Sequence, residues 1–217
     1  MKFRQMPSLA SSILSKAWFK KPDPRQKVIY LTFDDGPHPE ITPWVAELLS
    51  NYQAEATFFL IGKNMDAYPE FSTDWYHSRG HSTGHHTYNH LNGLKVSNEV
   101  YFANVAKCAG MVKSPLYRPP YGKMKPSQYR YLSVRYQIVF WHIVTYDFDR
   151  TVTSESIVRH LTSNSENGSI IVFHDSEKAR KNLQKALPEA LDILSDRGFV
   201  FKGLKNICTE HIPDSSL

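Results

Sequence analysis

Two hydrophobic patterns alternate along the chain. Short apolar runs that end in polar or turn residues are typical of buried strands, whereas apolar residues three and four apart are typical of helices. The first pattern predicts seven strands, over residues 28–33, 56–61, 81–85, 116–118, 137–144, 169–174 and 199–202. The second pattern predicts six helices, over residues 42–52, 69–79, 97–112, 126–135, 154–163 and 178–197.

This alternation predicts an α/β fold in which helices cover parallel strands. Seven strands favour a distorted seven-stranded (β/α) barrel over an open sheet, as a single domain. In such barrels, functional side chains gather on the loops after the carboxyl ends of the strands. We expect residues 28–207 to form this domain, with an extension over residues 1–27 and a tail over residues 208–217.

The first residues resemble a signal peptide only superficially. Lys2 and Arg4 precede a serine-rich stretch that Lys16 interrupts, and no small-residue cleavage site follows. The stretch instead predicts a short helix over residues 8–19, packed on the domain or lying on a membrane surface. Export is therefore not supported, and the default expectation is a cytoplasmic or membrane-peripheral protein.

Composition excludes several classes of protein. Hydrophobic residues make up 41% and charged residues 22%, which is typical of a globular domain rather than a disordered chain. A net charge of +5 suits either an anionic polymer substrate or an ordinary basic surface. Neither a nucleic-acid-binding motif nor an apolar run of membrane-spanning length is present in the sequence. Cys108 and Cys208 are expected to be buried free thiols, and the chain a monomer by default.

Polar clusters follow several of the predicted strands. Asp34 and Asp35 lie side by side at a strand end, where a metal could bind one carboxylate and leave the other free as a base. His86 and His90 are four residues apart, a spacing that places both on one side of a helical turn and lets them share a divalent ion. With one aspartate as third ligand, they would form an open site of the kind that hydrolytic metals require.

Three further clusters complete this pattern. Arg118 could hold a carboxylate by a forked hydrogen bond, and the backbone N–H groups of the Pro119–Pro120–Tyr121 loop could face an oxyanion. Asp147 could orient Arg118 or His174. A histidine at the end of a buried strand, such as His174, would have a raised pKa beside that carboxylate and would suit a general acid.

In chain order, Thr-Phe-Asp-Asp-Gly-Pro, His-Thr-x-x-His, Arg-Pro-Pro-Tyr-Gly, a Trp-to-Asp segment and a strand-final His resemble the five motifs of the polysaccharide deacetylases. This family carries the NodB-like domain and is also called carbohydrate esterase family 4. The resemblance covers residues 28–204, nearly the whole chain. It implies a NodB-like barrel, a divalent metal and an N-acetylated oligo- or polysaccharide as substrate. The implied metal is zinc, with Co2+, Ni2+ or Mn2+ as alternatives.

The resemblance also implies a role for each matching residue. Asp34 matches the catalytic base, and the metal ligands are Asp35, His86 and His90. Arg118 matches the residue that positions the base, Tyr121 the one whose backbone N–H helps to hold the oxyanion, and His174 the general acid. Asp147 matches the carboxylate that supports both Arg118 and His174. The pocket for the acetyl methyl group is expected to involve Val172, Phe148, Pro119 and Pro120.

The chain departs from the family pattern at three positions. Val144 and Phe148 replace an Asp and a Trp of the fourth motif, which predicts an altered fit of the substrate. His85 lies beside the ligand His86, where it could compete for metal. Two alternatives to N-deacetylation therefore stay open: an O-acetyl esterase or small-amide hydrolase with the same metal centre, and a glycan-binding domain with weak or no catalysis.

Overall fold

The computed structural model describes residues 16–204 of the 217-residue chain. The strands in that part are β1 (Val28–Asp34), β2 (Thr57–Leu60), β3 (Ser82–His85), β4 (Leu116–Tyr117), β5 (Gln137–Ile138), β6 (Ile143–Val144), β7 (Ser169–His174) and β8 (Val200–Lys202). The helices are α1 (Ile41–Asn51), α2 (Gly62–Ala67), α3 (Thr73–His77), α4 (Asn98–Val112), α5 (Pro126–Leu132), α6 (Ser154–Asn164) and α7 (Arg180–Asp196).

The strands form one curled parallel sheet, which confirms the expected distorted barrel. The order is β5-β4-β3-β2-β1-β7-β6, with β8 paired to the first half of β1. The strand predicted over residues 137–144 is wrong in one respect, because it is divided into two short strands. β5 pairs with β4 and β6 pairs with β7, so the two halves lie at opposite edges of the sheet.

Alternation along β1 separates the two faces of the sheet, as strand geometry requires. Ile29, Leu31 and Phe33 point outward into the large apolar cluster formed with the helices. Val28 and Tyr30 point inward to a smaller cluster that fills the lower barrel. The inward series then becomes polar at Thr32 and Asp34, which are buried at the carboxyl end of the strand. The barrel therefore has an apolar base and a polar upper end.

The helix predictions are partly wrong. The helix expected over residues 69–79 is only Thr73–His77, and the helix Gly62–Ala67 was not predicted at all. The N-terminal helix expected over residues 8–19 lies mostly outside the described residues. Its described end is not helical, because Trp18 forms an isolated parallel bridge with Val139.

Further predictions concern the two cysteines, the C-terminal tail and membrane-spanning segments. Cys108 is a buried free thiol, whereas Cys208 and the predicted C-terminal tail lie outside the described residues. No helix within residues 16–204 has the length and apolar character needed to cross a membrane.

Candidate active site

Asp34 and His174 are the last residues of β1 and β7, and they are direct partners across the parallel pair. Residues paired in this way on adjacent strands point to the same face of the sheet. Asp34 is buried and His174 is partly buried. The two residues predicted as base and acid therefore lie side by side at the upper end of the barrel.

Arg118 is fully buried beneath Asp34. Its Nη1 donates to Asp34 Oδ1 at 2.7 Å and to Thr32 Oγ1 at 2.8 Å. The other donors bind backbone oxygens, Nε that of Val139 and Nη2 that of Phe140. The expected forked bond to a carboxylate is thus a single bond, and Arg118 makes no contact with Asp147 within the described part of the chain. Thr32, which sequence reasoning missed, completes the support of Asp34.

Asp35 follows the strand in a left-handed backbone conformation, with φ 78°. This conformation turns Asp35 out of the alternating pattern, so that both neighbouring carboxylates can serve one site. The backbone oxygen of Asp35 accepts a hydrogen bond from Asn64 Nδ2 at 2.8 Å. Asn64 belongs to helix α2, which was not predicted, so this contact could not be foreseen.

His86 and His90 come together without a helix. The segment between them is a loop, and Thr87 and His90 have positive φ values of 64° and 55°. The spacing argument from a helical turn was therefore wrong, although the predicted convergence is present. The imidazole centroids of the two histidines are 5.0 Å apart.

Asp35, His86 and His90 form a cluster suited to a metal ion. One ligand atom from each lies within 4.8 Å of the others. Asp35 Oδ1 is buried without a hydrogen-bond partner, 3.2 Å from His90 Nε2 and 3.8 Å from His86 Nε2. An unpartnered buried oxygen facing two imidazole nitrogens is costly unless a cation lies between them. The residues present thus fit a divalent ion.

The protonation states of the two histidines also fit a metal. Burial lowers the pKa of His86, and the neighbouring His90 lowers it further. Burial likewise lowers the pKa of His90, against the opposing charges of Asp35 and Asp34. His86 Nδ1 lies 2.7 Å from the backbone oxygen of Arg118, which fixes the proton on Nδ1 and leaves Nε2 free to bind a metal.

His174 is held by Asp147. Its Nδ1 lies 2.7 Å from Asp147 Oδ1, and its backbone N–H donates to Asp147 Oδ2 at 2.9 Å. Burial alone would lower the pKa of His174. The charge and hydrogen bond of Asp147, together with Asp35 and Asp34, outweigh burial and raise this pKa to about 9. His174 is therefore a cation at neutral pH and carries a proton that it can donate.

The loop after β4 covers the metal cluster. Pro119 and Pro120 are buried, and Tyr121 has a positive φ of 61°. The Tyr121 ring packs on His90, with centroids 4.6 Å apart. Among the described residues, no group accepts a hydrogen bond from the Tyr121 backbone N–H, so this donor is available to a ligand.

The residues expected around the methyl pocket are dispersed. Val172 precedes His174 on the same inward face of β7 but is only 1% exposed. Phe148 is 38% exposed and packs edge-on against the His174 ring at a centroid distance of 4.7 Å. Phe148 thus forms an accessible wall, whereas Val172 can contribute only from beneath.

His85 lies outside the metal cluster. It is fully buried, stacks on Tyr117 and contacts Tyr136, so competition for the metal is not its role in this geometry. Burial lowers the pKa of His85 to about 3, with a further contribution from His86. His85 is therefore neutral.

Asp175 is a second residue that sequence reasoning missed. It is fully buried, accepts a hydrogen bond from Thr42 Oγ1 at 2.6 Å and packs against Gly36. Burial raises the pKa of Asp175 to about 8. The uncharged carboxyl thereby lies directly under the turn that carries Asp35. Adjacency to His174 in the sequence is the only signal that could have found it.

The chain is similar in sequence to known deacetylases. The chain is 35% identical over 184 residues to a peptidoglycan-N-acetylglucosamine deacetylase of Bacillus cereus, covering 81% of this chain and 85% of that protein. It is 31% identical to a chitooligosaccharide deacetylase of Azorhizobium caulinodans, covering 82% and 93%.

A solved structure has the same fold. The crystal structure of a peptidoglycan N-acetylglucosamine deacetylase superposes with a TM-score of 0.82 at 28% identity, covering 91% of this chain and 95% of that one. The family model for polysaccharide deacetylase matches residues 21–138. The chain therefore belongs to the polysaccharide deacetylase family.

Proposed function

We propose that the chain is a metal-dependent deacetylase that hydrolyses the N-acetyl amide of an amino-sugar glycan. The observation that supports this most strongly is the position of Asp34 and His174. A carboxylate and a protonated imidazole are cross-strand partners beside the Asp35–His86–His90 cluster. Hydrolysis of an amide needs both a base for water and an acid for the departing amine.

Asp35, His86 and His90 would hold the metal. We propose zinc, because one carboxylate and two imidazoles with open positions are a ligand set typical of catalytic zinc. When bound, the ion would polarise the acetamide carbonyl and make water more acidic.

The side chains of the protein would move the protons. Asp34, held in orientation by Arg118, takes a proton from the attacking water. The free backbone N–H of Tyr121 donates to the acetamide oxygen as that oxygen becomes negatively charged. His174, kept protonated by Asp147, gives its proton to the sugar nitrogen as the C–N bond breaks. Phe148 would bound the acetyl group on the side of His174.

The state of His174 favours an amide over an ester. An amide nitrogen leaves poorly unless it is protonated, whereas the oxygen of an acetyl ester can leave with less assistance. A histidine whose pKa is raised to about 9 suits the more demanding leaving group. The named relatives deacetylate peptidoglycan and chitooligosaccharides, and we propose an N-acetylglucosamine glycan of the same class as substrate.

The test is acetate release from N-acetylglucosamine oligomers and from an O-acetylated xylooligosaccharide, with zinc and with a chelator. We expect release from the N-acetyl substrate, abolished by the chelator and restored by zinc. Asp34→Asn should lower kcat by about 10²–10⁴-fold, the usual contribution of a general base. Asp196→Asn, at the exposed end of α7, is the matched control and should change nothing.

Metal binding is tested separately. His90→Ala should lose zinc in equilibrium dialysis while the far-UV circular dichroism stays unchanged. A protein that binds zinc and glycan but releases no acetate would contradict deacetylation and favour a binding domain. Faster release from the O-acetyl substrate would instead favour an esterase.

A further inference from the structure

A cleft of about 570 Å3 lies next to the candidate active site. The segment that leads into α6 forms one side, and the beginning of α7 forms the other. Asp147 is part of the lining, so the cleft adjoins the carboxylate that holds His174. None of the proposed catalytic steps uses this space.

The cleft is strongly basic. Four exposed cations contribute to its walls: Arg150, Lys178, Lys181 and Lys185. Within residues 16–204, none of the four has a carboxylate oxygen within 4.0 Å. None of the four therefore forms a close ion pair with a carboxylate of the described residues.

The acidic residues of the lining compensate little of this charge. Glu177 is already paired with Arg180 Nη2 at 2.7 Å and lies 3.4 Å from His38 Nε2. Asp147 faces the protonated His174. Glu155 is the other carboxylate of the lining, and its Oε1 accepts a hydrogen bond from Ser154 Oγ at 3.1 Å. Hydrogen bonds lower the pKa of Glu155 and the charge of Lys185 contributes to this shift, so this carboxylate compensates part of one cation, and the lining keeps an excess of positive charge.

Three of the four cations come from one short stretch of the chain at the beginning of α7. Lys181 and Lys185 are four residues apart on α7, a spacing that places them on the same face of the helix. Lys178 lies four residues after His174, the last residue of β7.

We propose that this cleft binds a carboxylate of the glycan, carried by the sugar next to the one being deacetylated. The inference rests on the proposed function and narrows its substrate to acidic glycans. A neutral chitin oligomer has no group that could use four cations. The lactyl carboxylate of a muramic acid residue, or a carboxylate of a peptide attached to it, provides the matching charge.

The experiment compares three tetrasaccharides of equal length: an N-acetylglucosamine oligomer, an N-acetylglucosaminyl–N-acetylmuramyl oligomer without peptide, and the same N-acetylated oligomer with its peptide. Lys181→Glu combined with Lys185→Glu reverses the charge of the cleft. Lys113→Glu is the matched control, because Lys113 follows α4 at the end of the barrel opposite the active site. KM is measured for each zinc-loaded protein, and Kd in an Asp34→Asn background that slows turnover.

In the unaltered protein, we expect Kd for the carboxylated oligomers to be lower than for the neutral one and to rise with salt. The double variant should raise KM and Kd for the carboxylated oligomers by about tenfold, as expected when two exposed charge attractions become repulsions. The loss should be confined to those substrates, and Lys113→Glu should not reproduce it. A loss with the peptide-free oligomer identifies the lactyl carboxylate, and a loss only with the peptide form identifies a peptide carboxylate.

Equal Kd values for neutral and carboxylated oligomers would overturn the proposal. So would an equal loss in Lys113→Glu, since the effect would then come from net charge rather than the cleft. If no oligomer releases acetate, the proposed function fails, but the Kd comparison still decides whether the cleft binds carboxylates.

Discussion

Asp147 binds His174 twice, through the ring Nδ1 at 2.7 Å and through the backbone N–H at 2.9 Å. The same carboxylate therefore fixes both the position of the imidazole and its charge. Asp147 makes the largest contribution that raises the pKa of His174, to about 9. Burial acts in the opposite direction and lowers this pKa.

Asp147→Asn should shift the alkaline limb of activity to lower pH. His174 must be protonated to donate, and without the Asp147 charge its pKa should fall from about 9 back towards the ordinary value of about 6.5. The measurements are kcat against pH and an NMR titration of His174. An alkaline limb that stays in place would show that another group donates the proton.

The same pair makes a pH-dependent contribution to stability. Because the folded pKa of His174 lies above the unfolded value, the contribution is complete below pH of about 6.5 and is lost as pH rises through about 9. Asp147→Asn should therefore destabilise the fold more at pH 6 than at pH 10, as measured by urea unfolding. An equal loss at both values would contradict a charged pair.

Arg118→Ala should strongly destabilise the protein. The substitution leaves the Asp34 carboxylate buried without its cationic partner, which typically costs about 3–5 kcal/mol. Arg118→Lys should recover little, since a single ammonium cannot replace donors directed at Asp34, Thr32 and two backbone oxygens. The measurement is the free energy of unfolding in urea. Arg130→Ala, an exposed arginine, should change it by less than about 0.5 kcal/mol.

Gly36→Ala should reduce activity through the turn that carries Asp35. A Cβ at Gly36 would collide with Asp175 Oδ2, so either the turn or the carboxyl must move. We expect kcat to fall by more than about tenfold, because small displacements of catalytic groups are costly. Adding Asp175→Ala removes the colliding atoms and should restore part of the activity.

The control for this substitution is Gly110→Ala in α4, where the added Cβ meets no atom within 4 Å. That variant should keep its activity and gain stability of up to about 1 kcal/mol from helix propensity. If Gly36→Ala is fully active, the tight contact with Asp175 does not position Asp35.

Phe148→Ala should enlarge the acyl pocket. Phe148 is partly exposed and contacts the ring of His174, so its removal opens space beside the bond being cleaved. We expect the ratio of kcat/KM for N-propionyl to N-acetyl substrates to rise about tenfold, the scale of one methylene in a hydrophobic pocket. An unchanged ratio would place the acyl group elsewhere. Phe102→Ala, on the α4 surface, is the control.

The sequence predicted best what depends on local pattern. The β1 and β7 runs ended in Asp34 and His174, and parallel pairing brings such ends together without further information. The helix predicted over residues 97–112 is α4, and the Ser97 hydroxyl caps its start by accepting from Val100 N–H. The ends of these strands and the start of α4 depend only on neighbours in the chain.

What the sequence could not predict depends on distant contacts. The run over residues 137–144 is apolar except for Gln137 and His142, and its division between two sheet edges is determined by pairing partners. His86 and His90 converge because Thr87 and His90 have positive φ values, which their residue types do not predict. Arg118 bonds Asp34 by one nitrogen because the backbone oxygens of Val139 and Phe140 take other donors.

The division of that run has one more consequence. Between the two halves, Trp18 pairs with the backbone of this run. The Trp18 backbone N–H donates to Ile138 O at 2.9 Å, and the Trp18 backbone oxygen accepts from Phe140 N–H at 2.7 Å. Phe19 stacks on the Phe140 ring at 5.1 Å. These contacts cross the boundary predicted at residue 28. A fragment that begins at Val28 would lack Trp18 and would leave the backbone groups of Ile138 and Phe140 without these partners. Exposed strand edges of this kind promote pairing between molecules and aggregation.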